Sequence, residues 1–417
     1  LLAACLTTTP TAMWVPGRIE VFGKHTDYAG GESLTCASEQ GIAALVERHE
    51  KASLIIHDVA RGLEAEFAYN KLVQDGSWTI YPFTVLKRVI SDFGMPEHGI
   101  RLVISSDLPS ASGMSSSSCL VVAVLLGLLS EGGYSDLPFS DVAAFAGYAG
   151  AVESGAPFLT SSADAESRSG VGTRGGSQDH TAILLSESET LGLYGYHPVQ
   201  RFEQIVFPDD CTFVIGGSGV KANKTGSARE AYNRASDMAA EVARLYSVDV
   251  DEHFPTMGAM MASPYFDRES LRWAIPDNDL WDRYQQFERE VDYVIPEAIR
   301  AIKASDWDTF GHVADNSQRM ASDWLLNQIP ETNALVRLAR GLGAYGANGF
   351  GAGFGGAVWA LVKKESALQF KSDWATAYRS AYPQHGDQSI FLLNSPGPGA
   401  WVSLPGSVAG VVSGQMN

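Results

Sequence analysis

Apolar positions along the chain follow a strand period first and a helix period later. Between residues 10 and 60, turns separate short apolar stretches such as 42–46 and 53–56, which predicts strands. Residues 76–89 open with a turn and then carry aromatics at helical spacing. Residues 100–105 alternate as a strand does. A loop of small residues follows, and then the apolar run 119–129, which reads as a buried helix. A second helix is predicted over 138–153. Residues 161–176 are rich in Ser, Gly and Ala and read as an exposed insertion. Residues 180–185 and 212–216 are short apolar runs and are expected as strands. In 230–246, Tyr232, Ala235, Ala239, Val242 and Tyr246 form one apolar face of a helix. Further helices are expected over 280–303 and 332–340. A glycine-rich stretch, 350–356, leads into an apolar strand at 357–362. Strands come first and helices later, an order compatible with an α/β (α+β) protein.

Composition narrows the class. The chain has 417 residues, 45% of them hydrophobic and 19% charged, enough for two or three domains and a large core. A boundary is expected near residue 200, giving an N-terminal unit over 1–200 and a C-terminal unit over 201–417. The formal charge of −18 argues against binding nucleic acid or an anionic membrane. Cys5, Cys36, Cys119 and Cys211 are scattered, which argues against a disulfide framework or a zinc site. The apolar run 119–129 is too short to span a bilayer, and no basic segment precedes the apolar residues 1–6. A cytoplasmic location is expected.

Three stretches carry candidate chemistry. Residues 109–118, P-S-A-S-G-M-S-S-S-S, lie between the strand and the buried helix. Small residues let backbone N–H groups approach a phosphate, and the helix N-terminus behind them favours an anion. The alternative is a flexible Ser-rich turn. The Gly-Lys-Ser/Thr ending of a Walker A loop is missing. Residues 346–356, G-A-N-G-F-G-A-G-F-G-G, precede a strand, the wrong order for a dinucleotide fingerprint. Residues 16–31, P-G-R-I-E-V-F-G-K-H-T-D-Y-A-G-G, gather Arg18, Lys24, His25, Asp27 and Tyr28 among glycines. Such a cluster suits a polyhydroxylated ligand.

In this order the three stretches resemble the GHMP kinases. The signature G-R-V-N-L-I-G-E-H-T-D-Y-N-G-G of the galactokinase branch matches at Gly17, Arg18, Gly23, His25, Thr26, Asp27, Tyr28, Gly30 and Gly31. The resemblance implies a two-lobed fold, mixed sheets packed with helices, and an active site in the cleft between lobes. It also implies transfer of the ATP γ-phosphate to a sugar hydroxyl, the anomeric one of galactose or a galactose-like sugar. ATP and Mg2+ are the implied cofactors, and a monomer or weak homo-oligomer is expected. A non-catalytic sugar and ATP sensor acting through a protein partner is the alternative. The presence of Arg18, Ser117, Glu153 and Asp179 favours an enzyme.

Roles follow from matched positions. The segment G-S-Q-D-H, 176–180, is the counterpart of G-x-M-D-Q, which makes Asp179 the catalytic acid–base and Arg18 its cationic partner. Gly113, Ser115, Ser116 and Ser117 are expected to hold the ATP phosphates. Trp78, in a W-x-x-Y segment with Tyr81, is expected on the nucleotide. Ser117 and Glu153 are the implied magnesium ligands. Glu153 and Asp179 stand 26 residues apart, longer than usual, which the 161–174 insertion accounts for. His25, Asp27, Gly176 and Tyr232 are expected on the sugar. Lys24 departs from the signature, which has Glu there. Lysine only donates hydrogen bonds. If Lys24 faces the pocket, the substrate differs from galactose at C6, as galacturonate does. Otherwise it points away and pairs with an acid such as Glu20 or Glu32.

Overall fold

The computed structural model describes residues 10–74, 78–109, 113–158, 169–220 and 227–403. Two sheets carry the architecture. The first contains β1 (Thr11–Phe22), β2 (Glu32–His49), β3 (Ser53–Asp58), β4 (Leu63–Ala68), β5 (Gly99–Ser106), β6 (Thr190–Gly195) and β7 (Gln200–Val206). The second contains β8 (Cys211–Gly217), β9 (Gly346–Phe350), β10 (Ala357–Lys363) and β11 (Ile390–Asn394). The last strand, β12 (Trp401–Ser403), returns to pair antiparallel with β1. The order is β12-β1-β2-β5-β3-β4 in the first sheet, with β6 and β7 continuing from the start of β2, and β11-β8-β10-β9 in the second. Only β3 and β5 pair in parallel among the described strand pairs.

Helices α1 (Ile80–Phe93), α2 (Ser116–Glu131), α3 (Val142–Ser154) and α4 (Gln178–Leu185) belong with the first sheet. Residues 118–128 of α2 are all buried, as the unbroken apolar run requires. Asp141 caps α3 by accepting from the Ala144 N–H. The second half adds α5 (Ser227–Asp249), α6 (Met257–Met261), α7 (Arg268–Ala274), α8 (Asn278–Arg289), α9 (Ile295–Ala304), α10 (Trp307–Asp323), α11 (Pro330–Gly341) and α12 (Ala367–Ala381). One turn of π-helix, Glu290–Val294, joins α8 to α9. No helix of the described residues is long and apolar enough to cross a membrane.

Two expectations need correction or limits. Residues 180–185 were expected as a strand, yet they lie in α4, where every residue from His180 to Leu185 is buried. Burial on all sides removes the periodicity that separates a short helix from a short strand. The insertion falls partly outside the described residues. Its visible end, 169–176, is irregular backbone.

The two sheets share one core. Phe22 at the end of β1 meets Phe310 of α10 and Trp359 of β10 edge-on, at 5.7 and 5.6 Å between ring centroids. Such contacts add to the area buried and fix how the sheets dock. Cys36, Cys119 and Cys211 are buried free thiols.

Candidate active site

A cleft of about 540 Å³ opens where β1, the N-terminus of α2, α4, α5 and the β9–β10 hairpin meet. Its centre is an ion pair. Arg18 on β1 donates from Nε to Oδ1 of Asp179 at 2.7 Å, and its Nη2 lies 2.7 Å from the same oxygen. The other oxygen, Oδ2, accepts from Ser115 Oγ at 2.5 Å and from Ser118 Oγ at 3.3 Å. Burial alone would lower the Arg18 pKa, but the Asp179 and Glu20 carboxylates hold it above its ordinary value. Arg18 therefore stays a fixed cation.

Arg18 also ties Asp179 to the phosphate loop, because its Nη1 donates to the Gly113 carbonyl. Gly113 has φ +71° and Ser115 φ +58°, so the loop turns tightly into α2. The glycine hairpin packs on this loop. A Cβ on Gly351 would meet the Gly113 carbonyl at 3.0 Å. Ser115, Ser116 and Ser117 line the cleft, as do Gly353, Gly355 and Gly356. The N-terminus of α2 thus faces open space bounded by small residues, which suits an anion.

The 16–31 stretch forms the opposite wall. Asp27 Oδ2 accepts from the Gln178 N–H at 3.1 Å, and burial holds its carboxyl above the usual range. A Cβ on Gly176 would come within 2.4 Å of the same oxygen, so only glycine lets α4 approach Asp27. His25 Nδ1 lies 2.7 Å from the Tyr28 hydroxyl and Nε2 lies 3.1 Å from the Ala352 carbonyl. The carbonyl can only accept, so Nε2 carries the hydrogen and Nδ1 accepts from Tyr28. Burial and Arg283 push the His25 pKa down to about 3, leaving a neutral ring. Tyr232 of α5 packs against that ring at a tilt of 55°, with 5.0 Å between centroids, and lines the cleft. Glu153 of α3 also lines it, with Oε2 2.9 Å from His180 Nε2. Trp78 stands in the same wall as Ile80 and Tyr81.

One expected residue lies elsewhere. Lys24 is 1% exposed and does not line the cleft. Its Nζ donates to Asn348 Oδ1 at 2.6 Å and to Ser317 Oγ at 3.1 Å. Ser317 passes the contact on, donating towards the Glu290 carboxylate at 3.0 and 3.1 Å. The substrate-facing reading of Lys24 is therefore corrected: the lysine is buried behind the wall. Of the two acids expected as its partner, Glu32 is not among its contacts, whereas Glu20 acts on it together with Glu290, both opposing the lowering of its pKa by burial. Residues not anticipated also line the cleft, among them Glu20, Asp58, Arg61, Thr173 and Arg229. For Glu20 the signal was present, since the signature has Asn where this chain has Glu.

Magnesium prefers hard oxygen donors. The Ser117 hydroxyl and the Glu153 carboxylate meet that preference from two helices facing one cleft. Among the described residues no group of three His, Cys, Asp or Glu side chains forms a metal site by itself. A cation here would need further ligands, which nucleotide phosphates can supply.

Comparison with known proteins agrees with this geometry. Residues 81–187 match the GHMP kinases N terminal domain, residues 298–380 the GHMP kinases C terminal domain, and residues 7–48 the galactokinase galactose-binding signature. The chain belongs to the GHMP kinase superfamily, on its galactokinase-like side. It is 26% identical over 381 residues to a galactokinase of Pyrococcus furiosus, covering 89% of this chain and 97% of that one. It is 27% identical over 382 residues to a galactokinase of Thermococcus kodakarensis, covering 89% and 95%. The fold superposes on Lactococcus lactis galactokinase complexed with galactose with a TM-score of 0.77 at 21% identity, over 96% of this chain and 97% of that one. A mevalonate kinase aligns less well, with a TM-score of 0.56 at 14% identity over 92% and 98%.

Proposed function

We propose that this chain is an ATP-dependent sugar kinase that transfers the γ-phosphoryl group of ATP to the anomeric hydroxyl of galactose. The observation that carries this is the placement of Asp179. It is locked to Arg18 and Ser115, between the phosphate loop on one side and Asp27 with His25 on the other. The galactokinase relatives and the matched galactose-binding signature support the choice of sugar.

In this reading the sugar hydroxyl lies within reach of Asp179, which accepts its proton as the oxygen attacks the γ-phosphorus. The bond from that phosphorus to the bridging oxygen breaks and ADP leaves. Arg18 stabilises the charge spread over the transferring group, and it needs no reorganisation to do so because Asp179 and Gly113 already fix it. The N–H groups at the start of α2 and the serines 115–117 hold the phosphates. Ser117 and Glu153 would hold Mg2+, which when bound offsets phosphate charge. Asp27 accepts from sugar hydroxyls, His25 and Tyr232 shape the wall, Gly176 leaves the space, and Trp78 borders the nucleotide end. An altered C6 group, such as a carboxylate, loses its support with the corrected position of Lys24. No observation favours the ligand-sensing alternative.

The test is ADP release with ATP, magnesium and galactose, compared with Asp179→Ala. Turnover on galactose that falls about 1,000-fold or more in the variant is expected. A folded wild-type protein that binds ATP yet releases no ADP with galactose would refute the proposal.

A further inference from the structure

Glu20 sits two residues after Arg18 on β1, so the strand period sends both side chains to one face. A register irregularity between Glu20 and Phe22 follows at once, and such bulges re-aim side chains at binding sites. Glu20 lines the cleft, yet it is 2% exposed and its Oε1 has no hydrogen-bond partner among the described residues. A buried polar atom of this kind has to be accounted for. Most such atoms are satisfied by secondary structure, by a neighbouring side chain or by water, and Glu20 borders the cleft.

The surroundings are ionic. Arg18 on the same strand, Lys24 in the following turn, Asp179 from α4 and Glu290 from the π turn all act on Glu20. Burial dominates and pushes its carboxyl up to about 8. In either protonation state the carboxyl has lone pairs that can receive a hydrogen bond from a hydroxyl.

The position departs from the signature. The signature places Asn here and an acid four residues on, whereas this chain has Glu20 and Lys24. Lys24 is committed to Asn348 and Ser317 behind the wall. Relative to the signature, the acid stands on the strand and not in the turn. Resting on the kinase reading above, we propose that Glu20 hydrogen-bonds one hydroxyl of the acceptor sugar and sets specificity at that carbon.

The experiment compares wild type, Glu20→Gln and Glu20→Asn on galactose and on its 2-, 3-, 4- and 6-deoxy analogues, reading kcat and KM separately. Wild type is expected to lose about 10- to 100-fold in kcat/KM on one analogue through this contact. The Glu20→Asn variant should lose a similar factor on galactose and no further factor on that analogue, because the partner hydroxyl is already gone. Thermal melts establish that the variants fold, and Glu20→Gln keeps the side-chain length should Asn disturb the strand. An equal loss on every sugar would overturn the proposal and make Glu20 a support for Arg18. No loss on any sugar would overturn it as well. If wild type turns over galactose, only this inference is at stake in those outcomes. If it turns over none of the sugars, the kinase reading itself fails and takes the inference with it.

Discussion

Replacing Lys24 with Met separates a buried structural cation from a ligand contact. The substitution keeps most of the aliphatic volume and removes the charge. It breaks the 2.6 Å bond to Asn348 and the 3.1 Å bond to Ser317, and it removes the cation opposite Glu290. Breaking a buried pair from one side costs about 3–5 kcal/mol, since the remaining charge keeps its desolvation penalty. Ser317 and the Gly23 N–H, which donates to Glu290 at 3.0 Å, still solvate that carboxylate, which favours the lower end. Unfolding entropy scales at about 2.1 cal/mol/K per residue, so a cooperative transition over this chain has roughly 0.9 kcal/mol/K. The expected fall in Tm is about 3–6 °C. Calorimetry measures it, with steady-state kinetics on galactose alongside. The expected result is a lower Tm with a KM for galactose within about threefold of wild type. An unchanged Tm with a KM raised tenfold or more would place the lysine against the sugar and refute the buried network.

Three further outcomes follow from the same geometry. Arg18→Lys keeps the charge but loses the fork that grips Asp179 and Gly113, so kcat/KM should fall by about 100- to 1,000-fold, read by ADP release. Gly176→Ala puts a methyl group 2.4 Å from Asp27 Oδ2, so KM for the sugar should rise about tenfold or more while ATP binding, followed by calorimetry, is retained. His25 is held near 3 against an ordinary 6.5, so its contribution to stability is present above pH 6.5 and is lost as pH falls towards 3. The lost contribution is on the order of 5 kcal/mol, and His25→Gln should flatten that part of the stability profile in urea melts at successive pH values.

The three motifs were readable because their residue types are constrained by contact with backbone. Gly351 and Gly113 face each other too closely for side chains, and Gly176 has no room beside Asp27. Such constraints leave glycine and serine in the sequence, and the motifs they form mark the cleft. Lys24 was not readable in the same way. Gly23 at φ +98° and His25 at φ +57° break the strand parity on either side of it, so its neighbours cannot tell which way it points. What absorbs the charge, Glu290, sits 266 positions along the chain on a π turn that no local pattern announces. Residues 180–185 failed for another reason: α3, β1 and β2 pack around α4, and complete burial erases the helix period.

If Glu20 contacts the sugar as proposed, specificity and stability share one buried cluster with Lys24. Neither lies on a surface loop. Both follow from β1, whose Phe22 is clamped between Phe310 and Trp359 in the core shared by the two sheets. A cleft wall with that backing resists displacement, because close-packed interiors leave few voids to move into. A change of partner for the sugar must therefore come from exchanging buried polar groups, and each exchange needs its own charge compensation. Glu290 provides it for Lys24, while for Glu20 it comes chiefly from Arg18. Substrate preference and stability are thus coupled through one ionic cluster. A substitution in that cluster is interpretable only when Tm and KM are measured on the same protein.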